Sequence, residues 1–215
     1  HMSIYRGEVL ALIGENGAGK STLMKVLSGA HTCDAGSIEL DGEPFRPARP
    51  IDARRAGIAM IYQELNLARD LSVEDNIMLG SERSRLGLVR AGQQRAQVRS
   101  ALALLGHAEL DPQRRVGTLP IGIQQVVEIA RALVSDARVM IFDEPTSSLS
   151  RHDVERLFGI IQRLKAQNLA IIYISHFLEE VRAIADVFTV LRDGRSVAHG
   201  PIDSASNDAL IAHMD

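Results

Sequence analysis

The stretch Gly14-Glu15-Asn16-Gly17-Ala18-Gly19-Lys20-Ser21-Thr22 constrains this chain more than any other. It fits the phosphate-binding pattern G-x-x-x-x-G-K-[ST]. The apolar run Val9-Leu10-Ala11-Leu12-Ile13 precedes it and reads as a buried parallel strand. Leu23-Met24-Lys25-Val26-Leu27 follows and reads as the first turns of a helix. Glycines allow a tight turn that aims several N–H groups inward, and the helix start adds a positive dipole end. Gly14, Asn16, Gly17, Ala18, Gly19, Lys20, Ser21 and Thr22 are therefore the candidate nucleotide-binding residues. Lys20 supplies a point charge for β- and γ-phosphates, and the Ser21 hydroxyl can ligate Mg²⁺.

The rest of the chain continues this strand–loop–helix theme. Strand-like runs at residues 8–13, 37–40, 58–62, 139–142, 170–174 and 187–191 precede a last short one at 196–199. Helical stretches fit 20–28, 73–79, 93–105, 123–134, 153–167, 178–184 and 207–213. The alternation predicts an α/β fold with a mainly parallel P-loop NTPase sheet, in one domain over residues 1–215. Residues 71–123 are rich in Arg and Gln and hold no strand candidate, which reads as a helical subdomain inserted between sheet strands.

Composition sets bounds on function. With 215 residues and 46% hydrophobic side chains, the chain can bury one substantial core. A formal net charge of −3 gives no support to nucleic-acid binding. Cys33 is the only cysteine, so an internal disulfide is impossible; it reads as a small, partly buried residue in a reducing compartment. Apolar runs such as Leu169-Ala170-Ile171-Ile172-Tyr173-Ile174 are far too short to span a bilayer, and no signal peptide is legible. A membrane role would run through a partner. His1-Met2 reads as a cloning remnant.

Three further sites carry chemistry. Val139-Met140-Ile141-Phe142-Asp143-Glu144 is an apolar strand ending in two carboxylates. Beside a P-loop, the first such Asp holds Mg²⁺, and a second carboxylate can orient or deprotonate water. Acids after a strand are common, so the pair gains its weight from the P-loop and from Pro145-Thr146-Ser147-Ser148-Leu149 behind it. His176 follows the strand-like Tyr173-Ile174, where open α/β sheets bind ligands, and is a candidate γ-phosphate contact. Gln63 ends Ile58-Ala59-Met60-Ile61-Tyr62 and can offer an amide to Mg²⁺ or to the attacking water. Taken singly, the histidine would be a capping or surface residue and the glutamine would carry no weight.

The ordered set of P-loop, Gln63, Leu119-Pro120-Ile121-Gly122-Ile123-Gln124-Gln125, Asp143-Glu144, Ser148-Leu149 and His176 resembles the ATP-binding cassette of ABC transporters. The resemblance covers nearly the whole chain. Ile61-Tyr62-Gln63-Glu64-Leu65, Val127-Glu128-Ile129-Ala130 and Tyr173-Ile174-Ser175-His176 are similar to the monosaccharide importers of the ribose, galactose and xylose type, specifically the first of their two tandem cassettes. The resemblance implies ATP and Mg²⁺ as ligands, with Ser21, Gln63 and Asp143 around the metal. It implies Glu144 as general base, His176 as switch histidine and Gln63 as the sensor that couples to the membrane subunit. Gly122 would contact an anion from the signature helix. The implied partners are a second cassette, a membrane permease and, indirectly, a periplasmic sugar-binding protein. The implied location is the cytoplasmic face of the inner membrane.

Two departures qualify the resemblance. The family's signature is Leu-Ser-Gly-Gly-Gln, whose Ser donates to the γ-phosphate of the opposite cassette; Pro120 has neither hydroxyl nor N–H. Losing one charge-assisted hydrogen bond costs roughly 1.5–3 kcal/mol, so weak ATPase activity is expected of the chain alone. The P-loop also comes too early for the family's amino-terminal strands and their adenine-stacking aromatic, and Tyr5 is too close to Gly14 for that part. Poor adenine selectivity is the expectation. Alternatives are a soluble cassette protein of translation or DNA repair, or a nucleotide-sensing module with little hydrolysis. The repair type needs a long coiled coil, and no heptad run is present. A translation role would favour a basic surface, which the net charge of −3 opposes.

Overall fold

The computed structural model describes residues 1–81 and 92–214, and the backbone alone at 84–85, 88–89 and 91. The strands are β1 (Val9–Ile13), β2 (Glu39–Leu40), β3 (Glu43–Pro44), β4 (Ile58–Ile61), β5 (Ser84–Arg85), β6 (Leu88–Val89), β7 (Val139–Asp143), β8 (Ala170–Ile174), β9 (Val187–Arg192) and β10 (Arg195–Pro201). Six of them form a sheet in the order β10-β9-β1-β8-β7-β4. Pairing is parallel from β9 to β4, and β10 runs antiparallel to β9. The sheet is thus mainly parallel, as the βα alternation requires.

All five residues of β1 and all five of β8 are buried. Successive side chains leave opposite faces of a strand, so each strand feeds two cores. Val9, Ala11, Ile13, Met140, Phe142, Ile171 and Tyr173 enter the larger core. That core is closed by α3 (Val73–Met78), α4 (Ala91–Leu104), α5 (Ile121–Val134) and α6 (Arg151–Ala166), with help from α7 (Leu178–Ile184) and α8 (Asn207–Met214). Leu10, Leu12, Ile141, Ile172 and Ile174 enter the smaller core, against Met24 of α1 (Lys20–Leu27) and Ala53 of α2 (Pro50–Arg55).

Several expectations need correction. Of the strand expected at 37–40, only Glu39–Leu40 forms, as a two-stranded ribbon with β3. Helix α2 was not legible: it is six residues long, and its start is marked by Pro50 in its first turn. The stretch 71–123 is helical in α3, α4 and the start of α5, yet it also contains the antiparallel pair β5–β6. Residues 82–83, 86–87 and 90 of that stretch, and Asp215, lie outside the described residues. Helix α5 begins at Ile121 rather than 123, so Gly122 belongs to its first turn. Cys33 is exposed rather than partly buried, its Sγ donating to the Ala35 carbonyl at 2.9 Å. Among the described residues, no helix is long and apolar enough to cross a bilayer.

Candidate functional site

Four neighbouring parallel strands end at one rim. β4 leads to Gln63, β7 to Asp143 and Glu144, β8 to His176, and β1 to the glycine-rich loop. The register aligns them: Ile61 pairs with Phe142, Asp143 with Ile174, and Ile174 with Leu12. Strands lie about 4.8 Å apart, so parallel pairing alone collects side chains from residues 12 to 176 within a few strand widths.

The loop after β1 depends on its glycines in different ways. Gly17 and Gly19 have φ of 88° and 100°, the left-handed region that favours glycine. Gly19 is the residue that caps α1. The turn between β9 and β10 braces the loop, because the Gly194 N–H donates to the Ala18 carbonyl at 3.0 Å. Lys20 is buried, and its ammonium donates to the carbonyls of Gly14 at 2.6 Å and Glu15 at 2.9 Å. Burial lowers its pKa, against the opposing pull of Glu144, Asp143 and Glu15. Asn16, Ser21 and Thr22 are exposed on the same loop and helix start.

Asp143 is the last residue of β7 and is half-buried. Burial raises its pKa, the neighbouring Glu144 charge adds to the rise, and Lys20 opposes it. Glu144 takes φ = 45°, and its N–H donates to the Ile174 carbonyl at 3.1 Å. This turns its carboxylate across β8, where Oε1 lies 3.3 Å from His176 Nδ1. The P-loop, Asp143, Glu144 and His176 therefore come together.

Gln63 stands one strand over from that cluster, two residues past Ile61, which pairs with Phe142, and Gly122 lies in the first turn of α5. Gln63 lines a groove of about 460 Å³ with Gln124, Ile121, Ser147 and Ser148. At Gly122 a methyl group would lie 2.7 Å from Asp153 Oδ1, so a carboxylate stands beside the position expected to meet an anion.

Supporting residues escaped the sequence reading. Glu180 Oε2 accepts from the Tyr173 hydroxyl at 2.9 Å and the Ser175 hydroxyl at 2.8 Å, and Ser175 Oγ accepts from the Phe177 N–H at 3.0 Å. These bonds fix the residues on either side of His176. Gln125 Nε2 donates to the Pro145 carbonyl at 3.0 Å, in the turn after Glu144. The available signal was a run of polar residues, Gln124, Gln125 and Glu128, at the positions where α5 turns out to be buried.

The donors suit a hard cation. A hydroxyl at Ser21, a carboxylate at Asp143 and an amide oxygen at Gln63 are all oxygen ligands, the set Mg²⁺ prefers. Among the described residues no group of three His, Cys, Asp or Glu could hold a metal alone.

The sequence pattern of ABC transporters matches residues 1–147. The chain belongs to the ABC transporter family. It is 48% identical to a ribose import ATP-binding protein, RbsA 2, of Escherichia coli O157:H7 over 99% of its own length and 42% of that protein's. It is 44% identical to an arabinose import ATP-binding protein, AraG 1, of Burkholderia ambifaria, over 98% of itself and 42% of that protein. The chain thus spans about two fifths of the length of such relatives. Among solved structures, cbiO1 of Clostridium perfringens, part of the ABC transporter complex cbiONQ, superposes with a TM-score of 0.83 at 27% identity. That match covers 94% of this chain and 80% of the other. An ATP-binding cassette of another ABC transporter gives a TM-score of 0.85 at 25% identity, covering 99% of this chain and 89% of that one. The fold is therefore that of an ABC ATPase domain, and the family binds ATP.

Proposed function

We propose that this chain is the ATP-binding and ATP-hydrolysing cassette of a monosaccharide importer, with residues 71–123 facing the permease. One observation carries the reading: the Lys20 ammonium, the Asp143–Glu144 carboxylates and His176 meet at one rim. Support comes from relatives named for ribose and arabinose import.

In this mechanism the nucleotide phosphates lie in the loop of Gly14, Asn16, Gly17, Ala18, Gly19, Lys20, Ser21 and Thr22. Lys20 exchanges the Gly14 and Glu15 carbonyls for phosphate oxygens, so its charge is set aside until a ligand arrives. Ser21, Asp143 and Gln63 are the residues that would hold Mg²⁺, which would supply positive charge against the β- and γ-phosphates. Glu144 accepts a proton from the attacking water. His176 orients Glu144 through Nδ1 and contacts the γ-phosphate through its other ring nitrogen.

A second cassette completes the site. Its signature loop would cover the intact P-loop of this chain, while Leu119, Pro120 and Gly122 would cover the partner's nucleotide. Pro120 weakens that second site, so hydrolysis is unequal. A permease converts the cycle into transport of sugar delivered by a periplasmic binding protein, with the chain peripheral to the cytoplasmic face of the membrane.

The test is ATP–Mg²⁺ binding followed by single-turnover hydrolysis. Lys20→Ala should lose binding, and Glu144→Gln should keep binding but lose turnover. Undiminished turnover by Glu144→Gln would overturn the assignment of the base. Fusing the chain to a second cassette and counting ATP turned over per site tests the asymmetry, which equal turnover at the two sites refutes.

A further inference from the structure

Glu128 and Arg131 lie one turn apart on α5 and have no part in the roles assigned above. Their side chains are only 2% and 20% exposed, and they are paired at 3.0 Å. Together they grip both backbone groups of Asn66. The Asn66 N–H donates to Glu128 Oε1 at 3.3 Å, and Arg131 Nη1 donates to the Asn66 carbonyl at 2.9 Å. Arg131 Nη2 closes the triangle on Glu128 Oε1.

Asn66 is three residues past Gln63, a reach of no more than about 11 Å along the chain. The segment is also pinned downstream. Asn76, fully buried, accepts from the Ala68 N–H at 2.8 Å and donates to the carbonyls of Ala68 and Ser72, each at 2.9 Å. The same α5 holds the Pro145 carbonyl through Gln125, behind Asp143 and Glu144. One helix thus grips both the segment after Gln63 and the turn after Asp143.

A buried ion pair is a costly anchor, because desolvation offsets most of its attraction. Here the cost is higher, since among the described residues Glu128 Oε2 is buried without a hydrogen-bond partner. An apolar pair would hold the helix at lower cost but could not fix a backbone amide and carbonyl at once.

We propose that Glu128 and Arg131 are positioning residues for Gln63, holding its amide in register with the Asp143 carboxylate so that both reach one Mg²⁺. This rests on the reading of Gln63 as a metal contact. The experiment titrates a fluorescent ATP analogue into this chain with and without Mg²⁺, and follows amide exchange at Asn66. Glu128→Ala should speed exchange at Asn66 and reduce the Mg²⁺-dependent gain in affinity at least about fivefold, with Mg²⁺-free affinity unchanged. Glu128→Gln keeps an acceptor oxygen for Asn66 and Arg131 and should restore most of the gain. If Glu128→Ala fails to fold, Arg131→Lys replaces it, keeping the charge but losing the two-pronged grip. In a double-mutant cycle, Glu128→Ala should add nothing once Gln63→Ala is present. Equal loss of affinity with and without Mg²⁺, or losses that multiply in the cycle, would overturn the proposal. If Gln63→Ala itself leaves the Mg²⁺ gain intact, the metal reading of Gln63 fails and the proposal falls with it. Faster exchange at Asn66 would then still mark the clasp as real, which separates the two failures.

Discussion

At Gly14 a methyl group would lie 2.4 Å from the Leu191 carbonyl oxygen, whereas at Gly17 it would meet nothing within 4 Å but would inherit φ = 88°. The two glycines are therefore needed for different reasons. Gly14→Ala must push backbone against backbone, a cost of about 1–3 kcal/mol that falls on the start of the loop. Gly17→Ala costs about 1–2 kcal/mol of torsional strain at a site open to solvent. Thermal melts should show the larger drop for Gly14→Ala, and a fluorescent ATP analogue should bind more weakly to both. Glu128 presents another residue-level contrast. Burial raises its pKa and Arg131 opposes the rise, so folding takes up a proton at this carboxyl. Its stabilising contribution is full below the unfolded value of 4.5 and is lost as pH rises through the folded one. Asp143 titrates with the same sign, so the useful measurement is a difference. The urea midpoint should fall less steeply with rising pH above 4.5 in Glu128→Gln than in the wild type.

Helices α3 and α6 begin with Ser72 and Ser150, whose hydroxyls accept from the N–H groups of Asp75 at 3.1 Å and Asp153 at 3.3 Å. Helix α5 begins with Pro120, which has the same extended backbone, φ −57° and ψ 151°, but no side-chain cap. Ser at 120 fits that backbone without rearrangement. Pro120→Ser should stabilise the chain by about 0.5–2 kcal/mol, read as a rise of roughly 2–4 °C in Tm per kcal/mol. An unchanged Tm would mean that the new hydroxyl does not cap. Pro120 also explains why the helix expected at 123 begins at 121: its carbonyl accepts from the Ile123 and Gln124 N–H groups and opens the helix. The long apolar strands were legible because β1 and β8 are buried on both faces and tolerate no polar interruption. Ribbon β2–β3 and helix α2 were not, since elements of two and six residues take their form from what they pack against. The candidate site followed the same division. Lys20 was legible from the G-x-x-x-x-G-K-[ST] pattern, and Asp143, Glu144 and His176 because each stands within two residues of the end of an apolar run. Arg131 was not, because it acts on Asn66 from 65 residues away.

At the scale of the molecule, the rim where these strands end joins two cores that lie on opposite faces of the sheet. A ligand that bridges α1 and β7 therefore ties the smaller core to the larger one and should stabilise the chain as a unit. ATP with Mg²⁺ at about 100 times its Kd adds about 2.7 kcal/mol, which for a chain of this size raises Tm by roughly 5–10 °C. Lys20→Ala tests whether the rise comes through the loop. In the unliganded chain this substitution removes a buried ammonium but also its bonds to Gly14 and Glu15. These effects oppose each other, so the unliganded Tm should move by no more than about 2–4 °C, the equivalent of ~1 kcal/mol. With nucleotide present, the variant lacks the cation proposed to face the phosphates, and most of the ligand-induced rise should vanish. A full rise in Lys20→Ala would mean that nucleotide binds elsewhere on the chain. Two separate transitions in the melt, only one of them moved by ATP, would mean that the two cores unfold independently and that the rim does not couple them.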